Sequence, residues 1–346
     1  MSLTNQIVAV VGATGAVGRE ALSILEQRKY PAERIVALAS ARSAGLAIPY
    51  IGGAIKVREL NAAAFEGVHS SIFCATSGVS KDFAAAAIRA GSHVVDNSSA
   101  FRMDPKVPLV VPEVNPQAIP SDGKPCIVAN PNCSTILMLV ALNPWHKRFG
   151  VEHVTVSTYQ AVSGAGAAAM DELRQQVEQH LAGKPVVASV FAEQCAFNVF
   201  SHNSAVDVAS GMNVEEVKLI KETHKIWGSE AVTITPTCVR VPVFRAHSES
   251  CAVRLAKPAT EAQVRAAFEG EPGLRVLDDR QGNRFPTPLK AAGGDDVLVG
   301  RIRLDPAMPL DANGASRHWC LWLCGDQLRK GAAQNAIQIA DVLATR

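Results

Sequence analysis

The sequence has almost no net charge. Its 34 lysines and arginines nearly balance 32 aspartates and glutamates, leaving a formal +2. That excludes the broad positive field by which nucleic acid or an anionic membrane is held, so any bound anion must rely on a few placed cations. No apolar run approaches the ~18 residues of a membrane span. Met1-Ser2-Leu3-Thr4-Asn5 lacks a basic region followed by a long apolar stretch, and the apolar residues 7–11 run straight into glycines. No signal peptide and a cytoplasmic location are therefore expected. The eight cysteines are scattered, a pattern that suits free thiols in a reducing compartment rather than a disulfide framework. Cys320 and Cys324 lie close together, but no histidine–cysteine pair completes a zinc site, and no metal is expected. There are no internal repeats or low-complexity tracts. What remains is a 346-residue chain, 48% apolar and 19% charged, able to bury a sizeable core in two domains of roughly 100–200 residues each.

The first 130 residues alternate short apolar runs with helical patterns. The runs 7–11, 35–39, 71–75, 93–96 and 127–129 read as buried strands, and residues 16–28 and 81–90 as helices. Buried strands alternating with helices predict βαβ units and a mostly parallel sheet. After about residue 150 the strands grow longer and alternate in polarity: 151–160, 232–241, 248–255, 298–304 and 317–323. These predict a mixed or antiparallel sheet covered on one face by helices such as 167–181 and 214–226. Residues 327–343 form a last helix, expected to pack back on the first domain. The domains predicted are 1–132 with 326–346, and 133–325.

The segment Val8-Ala-Val-Val-Gly12-Ala-Thr14-Gly15-Ala16-Val17-Gly18 reads as strand, glycine turn and helix start. Glycines let backbone approach a pyrophosphate, and the helix N-terminus offers unpaired N–H groups to it. The alternative is a tight strand–helix turn with no ligand; its place at the start of a βαβ pattern favours a dinucleotide. At the end of the second strand an NAD site usually carries an acid for the ribose 2′-OH. Here stand Ser40, Arg42 and Ser43 instead. A guanidinium with hydroxyls suits a 2′-phosphate, so NADP is the expected cofactor.

Asn130-Pro-Asn-Cys133-Ser-Thr135 follows an apolar strand and precedes the helical pattern 136–142. Cys133 therefore sits at or near a helix N-terminus, a position that favours the thiolate. A lone cysteine is more often a buried structural residue, a reading that fits the other seven better than this one. A thiolate beside a nicotinamide can add to an aldehyde, and the thiohemiacetal can give up hydride to become a thioester. A base must take the thiol proton. His247 is one candidate among nine histidines, and the sequence alone does not bring it to Cys133.

Six blocks together carry a resemblance. They are Gly12-Ala-Thr-Gly-Ala-Val-Gly18, Asn97-Ser-Ser-Ala-Phe-Arg102, Asn130-Pro-Asn-Cys-Ser-Thr135, Tyr159-Gln-Ala-Val-Ser-Gly-Ala-Gly166, Cys238-Val-Arg-Val-Pro-Val243 and His247-Ser-Glu249. Their order is that of aspartate-semialdehyde dehydrogenases of the bacterial type, which the chain resembles over about residues 5–343. The resemblance implies an α/β fold with a Rossmann-like N-terminal domain, an α+β catalytic and dimerisation domain, and a C-terminal helix returning to the first. It implies NADPH-dependent reductive dephosphorylation of L-4-aspartyl phosphate to L-aspartate 4-semialdehyde by a homodimer. Cys133 then resembles the nucleophile, His247 the acid–base residue and Gln160 the glutamine orienting the acyl group. Arg240 resembles the clamp on the substrate α-carboxylate. Glu215 resembles the partner of the amino group, and Lys218 and Arg102 the phosphate-binding cations. Gly12, Thr14, Gly15, Ala16 and Val17 would line the cofactor phosphates, Ser40, Arg42 and Ser43 the 2′-phosphate, and Ser163, Gly164 and Gln327 the nicotinamide end. Asn335 is a weaker candidate there.

Three other readings compete. An N-acetyl-glutamyl-phosphate reductase shares the cysteine chemistry, but its acylated nitrogen gives Glu215 less purpose. A glyceraldehyde-3-phosphate dehydrogenase would carry Ser-Cys-Thr-Thr-Asn, absent here. A non-catalytic NADP-binding regulator would be expected to have lost one of Cys133, Gln160, Arg240 or His247.

Overall fold

The computed structural model describes residues 3–346, which divide into two compact units. The first comprises the chain up to Asn132 together with Gly331–Arg346; the second is Cys133–Lys330. Among the described residues no helix is long and apolar enough to cross a membrane.

The first unit contains β1 (Val8–Val11), β2 (Ile35–Ala39), the hairpin β3 (Ala47–Tyr50) and β4 (Gly53–Lys56), β5 (Arg58–Glu59), β6 (Ser70–Phe73), β7 (His93–Asp96) and β8 (Ile127–Ala129). Hairpin aside, these form a parallel six-stranded sheet in the order β5-β2-β1-β6-β7-β8. Strand order reverses beside β1, the doubly wound arrangement in which ligands bind outside the carboxyl ends of the strands at the reversal. The glycine turn stands there, directly after β1. Side chains of β1 alternate between two cores. Val8 and Val10 join Leu22 and Leu25 of α1 (Ala16–Gln27) on one face. Ala9 and Val11 join Ala84 and Ala87 of α2 (Ser77–Arg89) on the other. Burial on both faces explains why these strands read as continuous apolar runs.

The second unit opens with α3 (Cys133–Phe149), whose residues from Ser134 to Trp145 are all buried. Then follow β9 (Val151–Gln160), α4 (Ala167–Leu181), β10 (Phe200–Ser201), α5 (Val214–Trp227), β11 (Thr233–Arg240), β12 (His247–Ala259), α6 (Glu261–Ala266), β13 (Leu274–Val276), α7 (Pro288–Ala291), β14 (Val297–Leu304) and β15 (Ser316–Gly325). The seven strands form one mixed sheet, β10-β11-β9-β12-β15-β14-β13. Its centre is antiparallel except for β9 and β11, which run parallel and are joined through α4 and α5. Helix α3 packs on β12, and α5 on β11.

The chain returns to the first unit at Gly331, not at residue 326 as the sequence suggested. Asp326 explains the later return. Its carboxylate accepts from Arg245 Nε at 2.6 Å and from the Gly293 and Leu328 N–H groups at 2.6 and 2.9 Å, all within the second unit. The last helix is also more broken than its periodicity predicts. A π-helical turn, Arg329–Ala333, precedes α8 (Gln334–Ala344). Ile337, Ile339, Ala340 and Leu343 of α8 join the core shared by α1 and β1.

Candidate active site

In the first unit, Gly12 has φ +80°, and a Cβ there would lie 2.4 Å from the Cys74 carbonyl oxygen. A Cβ on Gly18 would lie 2.1 Å from the Gly12 oxygen. One glycine thus permits the turn and the other lets the helix seat on it. Gly15 is the N-cap of α1, its own N–H closing the turn onto Gly12 O at 3.0 Å, and among the described residues no side chain caps the helix, so Thr14, Ala16 and Val17 present backbone N–H groups suited to a pyrophosphate. Ser40 precedes a short 3-10 turn, Ala41–Ser43, at the end of β2. Arg42 is exposed there and, among the described residues, has no ion-pair partner. These residues fit a nicotinamide dinucleotide. Arg102, also in this unit, is buried and donates from Nη2 to Asn97 O at 2.8 Å. Asn335 belongs to the scaffold instead. Its amide donates to Val110 O at 3.0 Å and to Asn130 Oδ1 at 2.6 Å, and Asn130 donates onward to Asn97 Oδ1 at 3.1 Å.

In the second unit, register assembles the chemistry. Gln160 on β9 pairs with Arg240 on β11, and Ser248 on β12 pairs with Tyr159. One residue further along, His247 comes level with Gln160. His247, Gln160 and Arg240 thus form a row across three strands, all buried. Tyr159 points to the opposite face, where its ring meets Trp322 at 5.4 Å.

Cys133 is the first residue of α3, three positions earlier than the helical pattern suggested, and its Sγ lies 3.4 Å from His247 Nε2. Among the described residues no cysteine is in a disulfide. Burial pushes the thiols of Cys74, Cys126, Cys195, Cys238, Cys251, Cys320 and Cys324 upward, Cys74 to about 12.

The His247 ring is fixed from behind. Its Nδ1 accepts the Ala161 N–H at 3.0 Å, so in the neutral ring the proton resides on Nε2 and faces sulfur. Burial, and then the nearby Arg240 guanidinium, hold its pKa well below the usual histidine value. The sequence reading had His247 take the thiol proton. In this tautomer the ring is a donor toward sulfur. Ala246, just before it, has φ +73°, a left-handed conformation uncommon for alanine, and its N–H donates to Gln327 Oε1 at 2.9 Å. Gln327 Nε2 also donates to Ser163 Oγ, so both ends of this amide brace the His247 approach. Gly164 lies against the same groups. A Cβ there would stand 3.3 Å from His247 Cε1 and 3.4 Å from Arg240 Nη1, which leaves no room for a larger residue without displacing one of them.

Gln160 Oε1 accepts from Thr158 Oγ1 at 3.0 Å, and its Nε2 donates to Glu215 Oε1 at 3.1 Å. The other Glu215 oxygen accepts from Lys218 Nζ at 3.0 Å. Both charged residues lie on α5, whose start is fixed by a capping box of Asn213 and Glu216. Arg240 Nη1 donates to Ala161 O at 2.7 Å; its Nη2 donates to His202 Nε2 and Asn203 Oδ1, each at 2.8 Å. The structure therefore brings Cys133, His247, Gln160, Glu215, Lys218, Arg240, Gly164, Ser163 and Gln327 into the second unit's bonded network. His202, Asn203 and Ser204 were missed by sequence reasoning. They lie in the irregular stretch between α4 and α5, where no periodicity marks them. Among the described residues no group of histidine, cysteine and acidic side chains could hold a metal ion.

Two family models match the chain. Residues 7–121 match "Semialdehyde dehydrogenase, NAD binding domain" and residues 142–330 match "Semialdehyde dehydrogenase, dimerisation domain". An aspartate-semialdehyde dehydrogenase of Synechocystis sp. is 46% identical over 98% of this chain and 97% of its own. One from Aquifex aeolicus is 44% identical over 97% of each. The solved Vibrio cholerae aspartate semialdehyde dehydrogenase II, complexed with ASA, is 40% identical, covers 98% of both chains and superposes with a TM-score of 0.90. With a cysteine facing a histidine at the head of α3, a glycine turn after β1 and this identity over nearly its whole length, the chain belongs to the aspartate-semialdehyde dehydrogenase family.

Proposed function

We propose that this chain converts L-4-aspartyl phosphate reversibly into L-aspartate 4-semialdehyde and inorganic phosphate with NADPH. This is an early step toward lysine, threonine, methionine and diaminopimelate. The observation that carries the reading is the Cys133 Sγ–His247 Nε2 approach of 3.4 Å inside a network that also contains Gln160, Glu215, Lys218 and Arg240. The sulfur lone pair attacks the acyl carbon, the C–S bond forms, and the C–O bond to phosphate breaks with its electron pair leaving on phosphate. The nicotinamide cofactor, when bound, supplies the hydride that reduces the resulting thioester. Collapse of the tetrahedral oxyanion breaks C–S, returns the pair to sulfur and releases the aldehyde. The sulfur needs no proton at any point of this cycle. A ring that donates from Nε2 suits it, holding the thiolate and then the developing oxyanion. A backbone N–H at the start of α3 is the natural second oxyanion donor.

Arg240 takes the α-carboxylate, Glu215 the ammonium, and Lys218 the phosphate, with Gln160 orienting the acyl group. Arg102 is assigned to phosphate from its motif. Ser163 and Gln327 have structural bonds of their own, so their service to the nicotinamide is through the loop they brace. The chain works as a homodimer, a reading supported by the dimerisation-domain match and by the sheet face on which Tyr159 is exposed and Trp322 half-buried.

The deciding assay is NADPH formation from L-aspartate 4-semialdehyde with and without phosphate, beside N-acetyl-glutamate 5-semialdehyde. Phosphate-dependent turnover of the aspartate compound alone is expected. Turnover of the acetylated compound alone would move Glu215 and Arg240 to other tasks. Cofactor choice has its own test. Arg42→Ala should lower the preference for NADP over NAD by about 10- to 100-fold, the value of a charge-assisted contact to phosphate. An unchanged ratio of kcat/KM for the two cofactors would remove Arg42 from the site.

A further inference from the structure

Arg240 is only 2% exposed, yet among the described residues no carboxylate pairs with it. Its bonds run to neutral acceptors: Ala161 O at 2.7 Å, His202 Nε2 at 2.8 Å and Asn203 Oδ1 at 2.8 Å. The Phe191 ring lies 5.6 Å from the guanidinium carbon, and Nε is buried with no partner among the described residues. Neutral acceptors fix a guanidinium without cancelling its charge. A carboxylate in their place would form a charge-assisted pair that competes with an anionic ligand.

His202 meets this requirement as a neutral ring. Its Nε2 faces Arg240 Nη2 at 2.8 Å, and its Nδ1 lies 3.1 Å from Ser204 Oγ and accepts the Ser204 N–H at 3.2 Å. Burial first, with Arg240 adding to it, brings the ring's pKa down to about 4, keeping it neutral at working pH. Ser204 Oγ in turn accepts the Glu215 N–H at 3.2 Å. Three consecutive residues thus tie the guanidinium on β11 to the first turn of α5.

Resting on the functional reading above, we propose that His202-Asn203-Ser204 is a positioning segment for amino-acid recognition. It sets the spacing between Arg240 and Glu215 for a ligand bearing an α-carboxylate and a free ammonium. It also keeps the guanidinium's charge available to the carboxylate. The segment acts through Arg240 and Glu215 and does not itself take part in bond making.

The test compares Asn203→Asp, His202→Glu and His202→Gln by steady-state kinetics and thermal melting. Asn203→Asp adds charge beside the guanidinium at almost no change in shape, at an exposed position that folding tolerates. The two acidic variants should raise KM for L-aspartate 4-semialdehyde by about 10- to 100-fold. Expected alongside are a kcat within about threefold and an unchanged KM for NADP. His202→Gln keeps a neutral acceptor and should restore most of the affinity. An unchanged semialdehyde KM in Asn203→Asp overturns the proposal. So does a loss spread equally over kcat, both KM values and the melting temperature, which would mark a merely structural segment. The unaltered enzyme's turnover separates this failure from that of the functional reading. If it accepts only the acetylated semialdehyde, Glu215 loses its assignment, while the KM of that carboxylate in Asn203→Asp still decides the role at Arg240.

Discussion

Cys133→Ser is expected to lower turnover by about 10⁴-fold or more while leaving NADP affinity unchanged. Serine keeps the size and the place at the start of α3, so the fold and the glycine turn of the other unit have no reason to change. What is lost is a nucleophile that is also a good leaving group from the tetrahedral adduct. No other thiol can substitute. The remaining cysteines have their ionisation opposed by burial, and none of them faces His247. Single-turnover experiments with aspartyl phosphate and NADPH, next to equilibrium NADP binding, check this directly. A serine variant with near-normal turnover would defeat the nucleophile assignment.

His247→Gln should lower kcat by about 10²- to 10³-fold and leave the semialdehyde KM within about threefold. The amide is smaller than the ring and misplaces the donor that faces sulfur. The pH behaviour distinguishes the donor from a base. With its pKa held well below the histidine norm, the ring stays neutral through the neutral range. The kcat profile of the unaltered enzyme should therefore show no inflection near 6.5. Stability follows the opposite limb. Below about 6.5 the unfolded chain binds a proton at this histidine that the folded chain refuses, so stability is present above that pH and is lost as pH falls. The melting temperature of His247→Gln should decline less steeply on acidification than that of the unaltered protein. An acid limb near 6.5 in kcat, absent from the variant, would instead make His247 a titrating base.

The first unit was legible because strands buried on both faces leave uninterrupted apolar runs, as in Val8–Val11 and Ser70–Phe73. The hairpin Ala47–Tyr50 with Gly53–Lys56, and the short strands Arg58–Glu59, Phe200–Ser201 and Leu274–Val276, escaped notice. They are short and partly exposed, and pairing rather than pattern makes them strands. Cys133 could be found from its turn and the helix after it. The row of His247, Gln160 and Arg240 could not, because it depends on the register of three strands far apart in sequence. The resemblance supplied those residues; spacing alone did not. The tautomer of His247 lay beyond any motif, since a backbone N–H at Ala161 decides it. The neutral cradle of Arg240 was invisible too: two of its three acceptors, on His202 and Asn203, come from a stretch with no period, and the third is a backbone carbonyl.

Helix α8 makes the first unit discontinuous, and this has a consequence for biosynthesis on the ribosome. The sheet of that unit emerges early, but Ile337, Ile339 and Leu343 belong to its core. Each contributes roughly 1.5–3 kcal/mol when buried, against a whole-domain stability of about 5–15 kcal/mol. Until those residues leave the exit tunnel, the nascent dinucleotide unit waits with an apolar face open to water. The Cys133–Lys330 unit is by then fully translated. The part of the protein synthesised first is thus the last to finish folding, and a message truncated before codon 334 would yield a chain whose second unit folds while its first stays prone to aggregation.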